Sequence, residues 1–288
     1  MVPLLVLVGA LPLVAAKPSF AQGGQTAALS EPPSLQSDPS FAKRQSNAER
    51  VKRARARIGD ELKVTFAAAG VDYPARSLLI RIFKREGELE MWGANSVSGK
   101  MTLVKTFPIC ANSGDLGPKR RRGDLQVPEG VYQATAFNPN SSYHLSILVN
   151  YPNKADRILG RPRSPDGTPG PVVNLGGDIC IHGDCVTIGC IPIQDEPMQE
   201  LYLAAIDSRI RWNRDPVIHM FPARLSQDTL VELLAQHPGN RELEAFWRNL
   251  KEVYDGFEES FVLPDVRINE EGRYVVRPKA KTNRQANE

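Results

Sequence analysis

The sequence predicts a β-rich α+β fold with helices appended at both ends. Three observations predict it: apolar residues alternate with period two between residues 77 and 149, apolar spacings of three and four flank that stretch, and Gly/Pro-rich loops punctuate it. The chain has 288 residues, 41% hydrophobic and 24% charged, a globular balance that excludes bulk disorder and fibrous repeats. With 36 Lys+Arg against 33 Asp+Glu, the net charge of +3 is too small to indicate nucleic acid as a partner.

Residues 2–16 are an apolar run shorter than the roughly 20 residues that a spanning helix needs. Ser19 and Ala21 follow in a small-x-small pattern, so residues 1–21 read as a signal peptide, with export to the periplasm and no stable membrane span after processing. Residues 22–42 are rich in Gly, Ser, Pro and Gln and are expected to form a disordered tether. Residues 43–75 form a basic helical lead-in, with Ile58, Leu62, Thr65 and Phe66 at helical spacing and Gly70 as the stop. Its basic face reads as solvated, with attraction to an anionic wall or membrane surface as the functional alternative.

The body runs from 76 to 193. Alternating apolar residues on either side of Glu86 and Gly87 predict a hairpin, and residues 100–110, 131–137 and 144–149 predict three more strands. Residues 117–128 are a polar loop carrying Lys119, Arg120, Arg121 and Arg122, usually a solvated run but useful beside a carboxylate-bearing substrate. Residues 160–171, dense in Pro and Gly, are an extended loop. Residues 194–288 are a helical extension ending in a hairpin and polar tail. Asp195 and Ser226 are expected as N-caps, and the stripe Phe246, Trp247, Leu250, Tyr254 and Phe257 as core. His219 reads as a core or strand residue and His237 as a helix-end residue.

The chemistry concentrates in residues 180–192, which hold Cys180, His182, Cys185 and Cys190. Three readings fit. A cysteine nucleophile needs a nearby base, and His182 can supply it; Gly189 permits a tight turn whose N–H, or that of Cys190, faces an oxyanion. Cys180 and His182, two apart on a strand, share a face, so Cys180 packs beneath the site. A zinc set of Cys180, His182, Cys185 and Cys190 has suitable donors but lacks separated ligand pairs. A structural disulfide through Cys180 or Cys185 is compatible with the first reading, and Cys110 is open to either burial or pairing.

The run Ile181-His182-Gly183 followed by Thr187-Ile188-Gly189-Cys190-Ile191 resembles the signature of the L,D-transpeptidase catalytic domain, the YkuD type. Together with the blocks at residues 117–133 and 141–153, it is similar to the YafK-like branch in particular. The resemblance spans roughly residues 77–193. It implies an L,D-transpeptidase-like β-sandwich, Cys190 as the acylated nucleophile and His182 as the base. It further implies a Gly183 carbonyl orienting the imidazole, Thr187 and Gly189 shaping the oxyanion pocket, and His144 and Tyr143 lining the substrate groove. The implied substrates are peptidoglycan stem peptides, with a wall-attached protein as a further acceptor or substrate and no cofactor or metal. Two departures stand out: Ile188 occupies the place of a second histidine, and Pro192 that of an Arg or Asn. The alternatives are a murein amidase or hydrolase using the same pair, and a non-catalytic wall-binding module with structural cysteines.

Overall fold

A computed structural model describes residues 39–164 and 166–277. The expected signal peptide, most of the tether and the polar tail lie outside the described residues. Helix α1 (Pro39–Asn47) begins inside the stretch expected as tether, because Phe41 has a buried seat with its ring edge-on to Phe137 at 5.7 Å. Helix α2 (Glu49–Ala68) buries Val51, Ala54, Leu62 and Phe66, and Gly70, at φ +68°, ends it as expected. Much of its basic face is not free in solvent. Arg55 pairs with Asp207 at 2.6 Å, Arg57 with Glu196 at 2.6 Å, and Arg50 donates to the Ser141 and His144 carbonyls.

The predicted hairpin is β1 (Ser77–Phe83) and β2 (Glu88–Ala94), joined through Gly87 at φ +65°. Beyond it come β3 (Thr102–Pro108), β4 (Gly130–Ser141) and β5 (His144–Val149), close to the expected spans. A short helix α3 (Lys154–Leu159) carries an Asn153/Asp156 capping box. Next are β6 (Cys180–His182), β7 (Ile191–Pro192), α4 (Asp195–Trp212) and β8 (Val217–Phe221). Helices α5 (Gln227–Ala235) and α6 (Arg241–Glu258) and the hairpin β9 (Asp265–Ile268)–β10 (Tyr274–Arg277) complete the chain.

Eight strands form one mixed sheet in the order β3-β2-β1-β8-β4-β5-β6-β7. Strand β4 bends between its halves: Gly130, Val131, Tyr132 and Gln133 pair with β8, and the register then shifts as it pairs with β5. One buried cluster takes Leu78, Ile80 and Met91 from the first half of the sheet, Ile147, Ile181 and Ile191 from the second, and Met198, Leu201 and Tyr202 from α4. The α+β architecture of the sequence reading is thus present. The region expected as an appended extension does more than append, since β8 sits at the sheet centre, parallel to β1 and antiparallel to β4.

Ser226 caps α5 as expected, accepting from the Thr229 N–H at 3.1 Å, and Phe246, Trp247, Leu250 and Phe257 of α6 are buried. Asp195 is not the N-cap of α4; Gln194 holds that place, and the Asp195 carboxylate turns back to the 183–184 turn. His219 is a core residue of β8, but its ring nitrogens have no partner among the described residues. Burial, reinforced by Arg81, pushes its pKa down to about 3, so it stays neutral. Among the described residues, no helix is long and apolar enough to cross a membrane.

Candidate active site

Strand β6 is held on both edges. It pairs antiparallel with β5, Ser146 opposite His182, and parallel with β7, Ile181 opposite Ile191. Ile181 is fully buried in the core, so the strand's alternation turns Cys180 and His182 to the opposite face, as expected. The seven residues between His182 and Cys190 form a tight loop that brings the thiol back to the imidazole.

Local chemistry shapes that loop. A Cβ at Gly183 would lie 2.5 Å from Asp195 Oδ1 and 2.8 Å from His144 Cβ, so no other residue passes under that wall. Asp195 Oδ1 accepts from the Asp184 N–H at 2.9 Å. Cys185 forms a disulfide with Cys110, Cα–Cα 5.4 Å, which fastens the loop to the end of β3. Thr187 Oγ1 donates to the Cys190 carbonyl at 2.8 Å and accepts from the Gly189 N–H at 3.0 Å. Gly189 adopts φ +137°, and a Cβ there would lie 3.1 Å from the Gln126 carbonyl.

The His182 Nδ1–H donates to the Gly183 carbonyl at 2.5 Å, which leaves Nε2 for Cys190. Burial opposes charging His182, but its bonds to Cys190 and to the Gly183 carbonyl outweigh that and raise its pKa above the ordinary value. The Cys190 thiol is pushed down to about 5 by the Cys180 thiol beside it, against burial, with His182 and the Cys180 N–H adding to the effect. The Cys180 thiol is raised in turn by Cys190 and by burial. The site therefore favours a thiolate facing an imidazolium.

The pair opens on a cavity of about 720 Å³. Its walls are the 176–179 turn, the 186–190 loop, Tyr143, and Lys119, Arg122, Gly123 and Leu125 from the 117–128 loop. The rim is apolar: Ile188 is 79% exposed and Val186, Leu125 and Tyr143 are each about half exposed. Of the four cations in the basic run, Lys119 pairs with Asp124 at 2.5 Å and Arg120 with Asp156 at 3.4 Å. Arg122 reaches the groove wall with no side-chain partner among the described residues.

Cys190, His182, Gly183, Thr187, Gly189 and Tyr143 are therefore together; the Tyr143 ring lies 4.8 Å from that of His182. His144 is not in the groove. It sits at φ +66°, with Nε2 bonded to the Gln199 amide at 3.0 Å and Nδ1 3.6 Å from Asp195, and braces the wall from behind. The Gly189 N–H is occupied by Thr187, so Cys190's own N–H is the backbone donor left for an oxyanion. Cys185 is taken by the disulfide and is not available to complete the four-ligand zinc set. Sequence reasoning missed Asp195 as the tie of the loop, because a carboxylate before an apolar periodic run signals a cap first.

The chain is 31% identical over 199 residues to the protein named "Putative L,D-transpeptidase YafK" from Escherichia coli (strain K12), over 68% of this chain and 72% of that one. The protein of the same name from Escherichia coli O157:H7 matches equally. The chain belongs to the YafK-like L,D-transpeptidase family. No protein-family profile matches it. Among solved structures, the helical cell shape determining protein Pgp2 from Campylobacter jejuni superposes with a TM-score of 0.39 at 14% identity, over 67% of this chain and 73% of that one. Mycobacterium tuberculosis L,D-transpeptidase 1 gives 0.27 at 13%, over 50% and 62%.

Proposed function

We propose that this protein is an exported cysteine enzyme of peptidoglycan remodelling that transfers acyl groups of stem peptides through a Cys190 thioester. The observation that carries the reading is the Cys190–His182 pair, with the imidazole tied by Nδ1 to the Gly183 carbonyl, at the floor of an open groove. Family membership supports the reaction class. The apolar run at residues 2–16 supports export to the periplasm.

The steps follow from the geometry. The Cys190 thiolate attacks the amide carbonyl of the donor stem, and the oxygen that takes up the charge accepts from the Cys190 N–H. Collapse breaks the C–N bond, and His182 Nε2–H delivers its proton to the departing amine. An acceptor amine then attacks the thioester carbonyl, His182 removes its proton, and Cys190 leaves as thiolate. Water in place of the amine makes the same site an amidase. Thr187 holds the turn that aims the Cys190 N–H, Tyr143 walls the groove beside His182, and Arg122 offers a charge to a substrate carboxylate.

The test is incubation of the protein lacking residues 1–21, beside Cys190→Ala, with purified sacculi, followed by muropeptide mass spectrometry. New cross-links or exchanged terminal residues that vanish in the variant are expected. Cysteine-dependent cleavage without exchange makes the enzyme an amidase. Identical products from both folded proteins sink the enzyme reading in favour of a wall-binding module.

A further inference from the structure

The proposed steps use Cys190 and His182 and leave the second free cysteine of the site idle. Cys180 is not packed out of reach beneath the site; it is partly exposed, as Cys190 is. Because β6 and β7 run parallel with Ile181 opposite Ile191, Cys180 and Cys190 lie side by side one position earlier. The Cys180 N–H donates to Cys190 Sγ at 3.4 Å. Both sulfurs converge on the Asp178 carbonyl, Cys190 at 3.6 Å and Cys180 at 3.7 Å. Once Cys190 is ionised it has no proton for that carbonyl, and Cys180 holds the only S–H of the pair.

We propose that Cys180 is a positioning residue for the nucleophile: its backbone N–H donates to Cys190 Sγ and its S–H takes the Asp178 carbonyl that a Cys190 thiol would otherwise use, so that Cys190 is held as a thiolate aimed at the groove. The proposal rests on the reading of Cys190 as nucleophile. It also explains why the two cysteines differ: the thiol that donates keeps its proton and stays unreactive, and the one that accepts loses it. The pKa directions of the two thiols agree with this division. The other groups around Cys190 do not replace the donor. His182 supplies one bond, and Asp178 contributes a carbonyl, which can only accept. Across the groove Lys119 is neutralised by Asp124, and Arg122 lies on the far wall. Lys84, Arg85 and Asp115 line a neighbouring cavity on the other side of Cys190, with Lys84 bound to Glu129. Ser146 on β5 reaches Cys180, not Cys190.

The experiment is the rate of iodoacetamide alkylation of Cys190 against pH, with the Cys110–Cys185 bridge intact and the modified residue located by peptide fragmentation. Wild type, Cys180→Ala, Cys180→Ser and Cys180→Val are compared, each checked for folding by circular dichroism. In Cys180→Ala the midpoint is expected to rise by about one unit, so that the rate at pH 4, below both midpoints, falls about tenfold, with the alkaline plateau unchanged. Cys180→Ser, which retains a donor, stays within about threefold of wild type. Cys180→Val fills the volume without a donor and reproduces the alanine result if that variant folds poorly. Superimposable wild-type and donor-free profiles overturn the proposal. A wild-type Cys190 that reacts only in the ordinary thiol range instead removes the nucleophile reading on which it rests.

Discussion

Two polar clusters are joined by the 117–128 loop, and they are built on opposite rules. In the first, Lys84 Nζ donates to the Gly117 and Val127 carbonyls and to Glu129, at 2.9 to 3.0 Å. Glu129 in turn accepts from the Gly117 N–H at 2.6 Å and the Trp247 indole at 2.8 Å. The ion pair is almost wholly buried, both of its partners are hydrogen-bonded, and it grips both ends of the loop. In the second cluster, Cys190 and His182 are fixed from behind by Gly183, Thr187 and Cys180 and left open toward the groove. A saturated buried pair holds shape because no proton or partner can be added cheaply. A pair satisfied on one side only can hold shape and still accept a substrate. The loop between them carries the consequence of the first into the second, since its middle is a groove wall and its Gln126 carbonyl packs on Gly189.

The largest effect separating the two clusters is on chemistry. His182→Ala is expected to lower kcat/KM about 10²–10⁴-fold with thermal stability nearly unchanged, read by muropeptide turnover and calorimetry. The same pair sets a pH profile. Activity rises with pH as the lowered Cys190 thiol ionises around pH 5, and falls as His182, whose pKa is raised, loses the proton needed by the leaving amine. A profile without an alkaline limb breaks the assignment of His182 as acid.

The reverse pattern is expected at the saturated cluster. Glu129→Ala leaves Lys84 buried and unpaired and costs about 3–5 kcal/mol of stability, measured by urea unfolding. Kinetic loss there follows the loss of fold rather than preceding it. Between the two lies the Cys110–Cys185 bridge, which belongs to the site loop but acts on the scaffold. Cys110→Ser is expected to cost about 2–4 kcal/mol and to loosen the 183–189 loop, seen as a lower melting temperature together with reduced turnover. The smallest effect sharpens the groove: Arg122→Gln raises KM severalfold at nearly constant kcat, as loss of one exposed charge contact does. Equal KM values with acidic and carboxyl-amidated muropeptides in the wild type remove that contact.

The strands of the first sheet half, the α6 core stripe, the Ser226 cap and the His182–Cys190 block were legible in the sequence because each depends on neighbours close along the chain. Periodicity, cap chemistry and a short motif report local geometry. The expectations that moved were those with distant partners. Phe41 draws residues 39–42 out of the tether, Asp207 and Glu196 claim arginines read as solvated, and β8 arrives from beyond the motif to sit at the sheet centre. His144, adjacent to the groove residue Tyr143, faces α4 instead because Gln199 and Asp195 wait there.

By itself, then, the sequence determined an alternating β body, its flanking helices and the candidate pair of Cys190 and His182 with Gly183 beside it. Only the tertiary structure decided that Cys110 bridges Cys185 across 75 residues, that Cys180 stands beside Cys190, and that Arg122 is the groove cation of its run. The physical reason is range. Backbone preference and side-chain alternation act over a few residues, whereas a disulfide, a shared thiol hydrogen bond or an unspent charge depends on which distant segments the packed core brings to the same place.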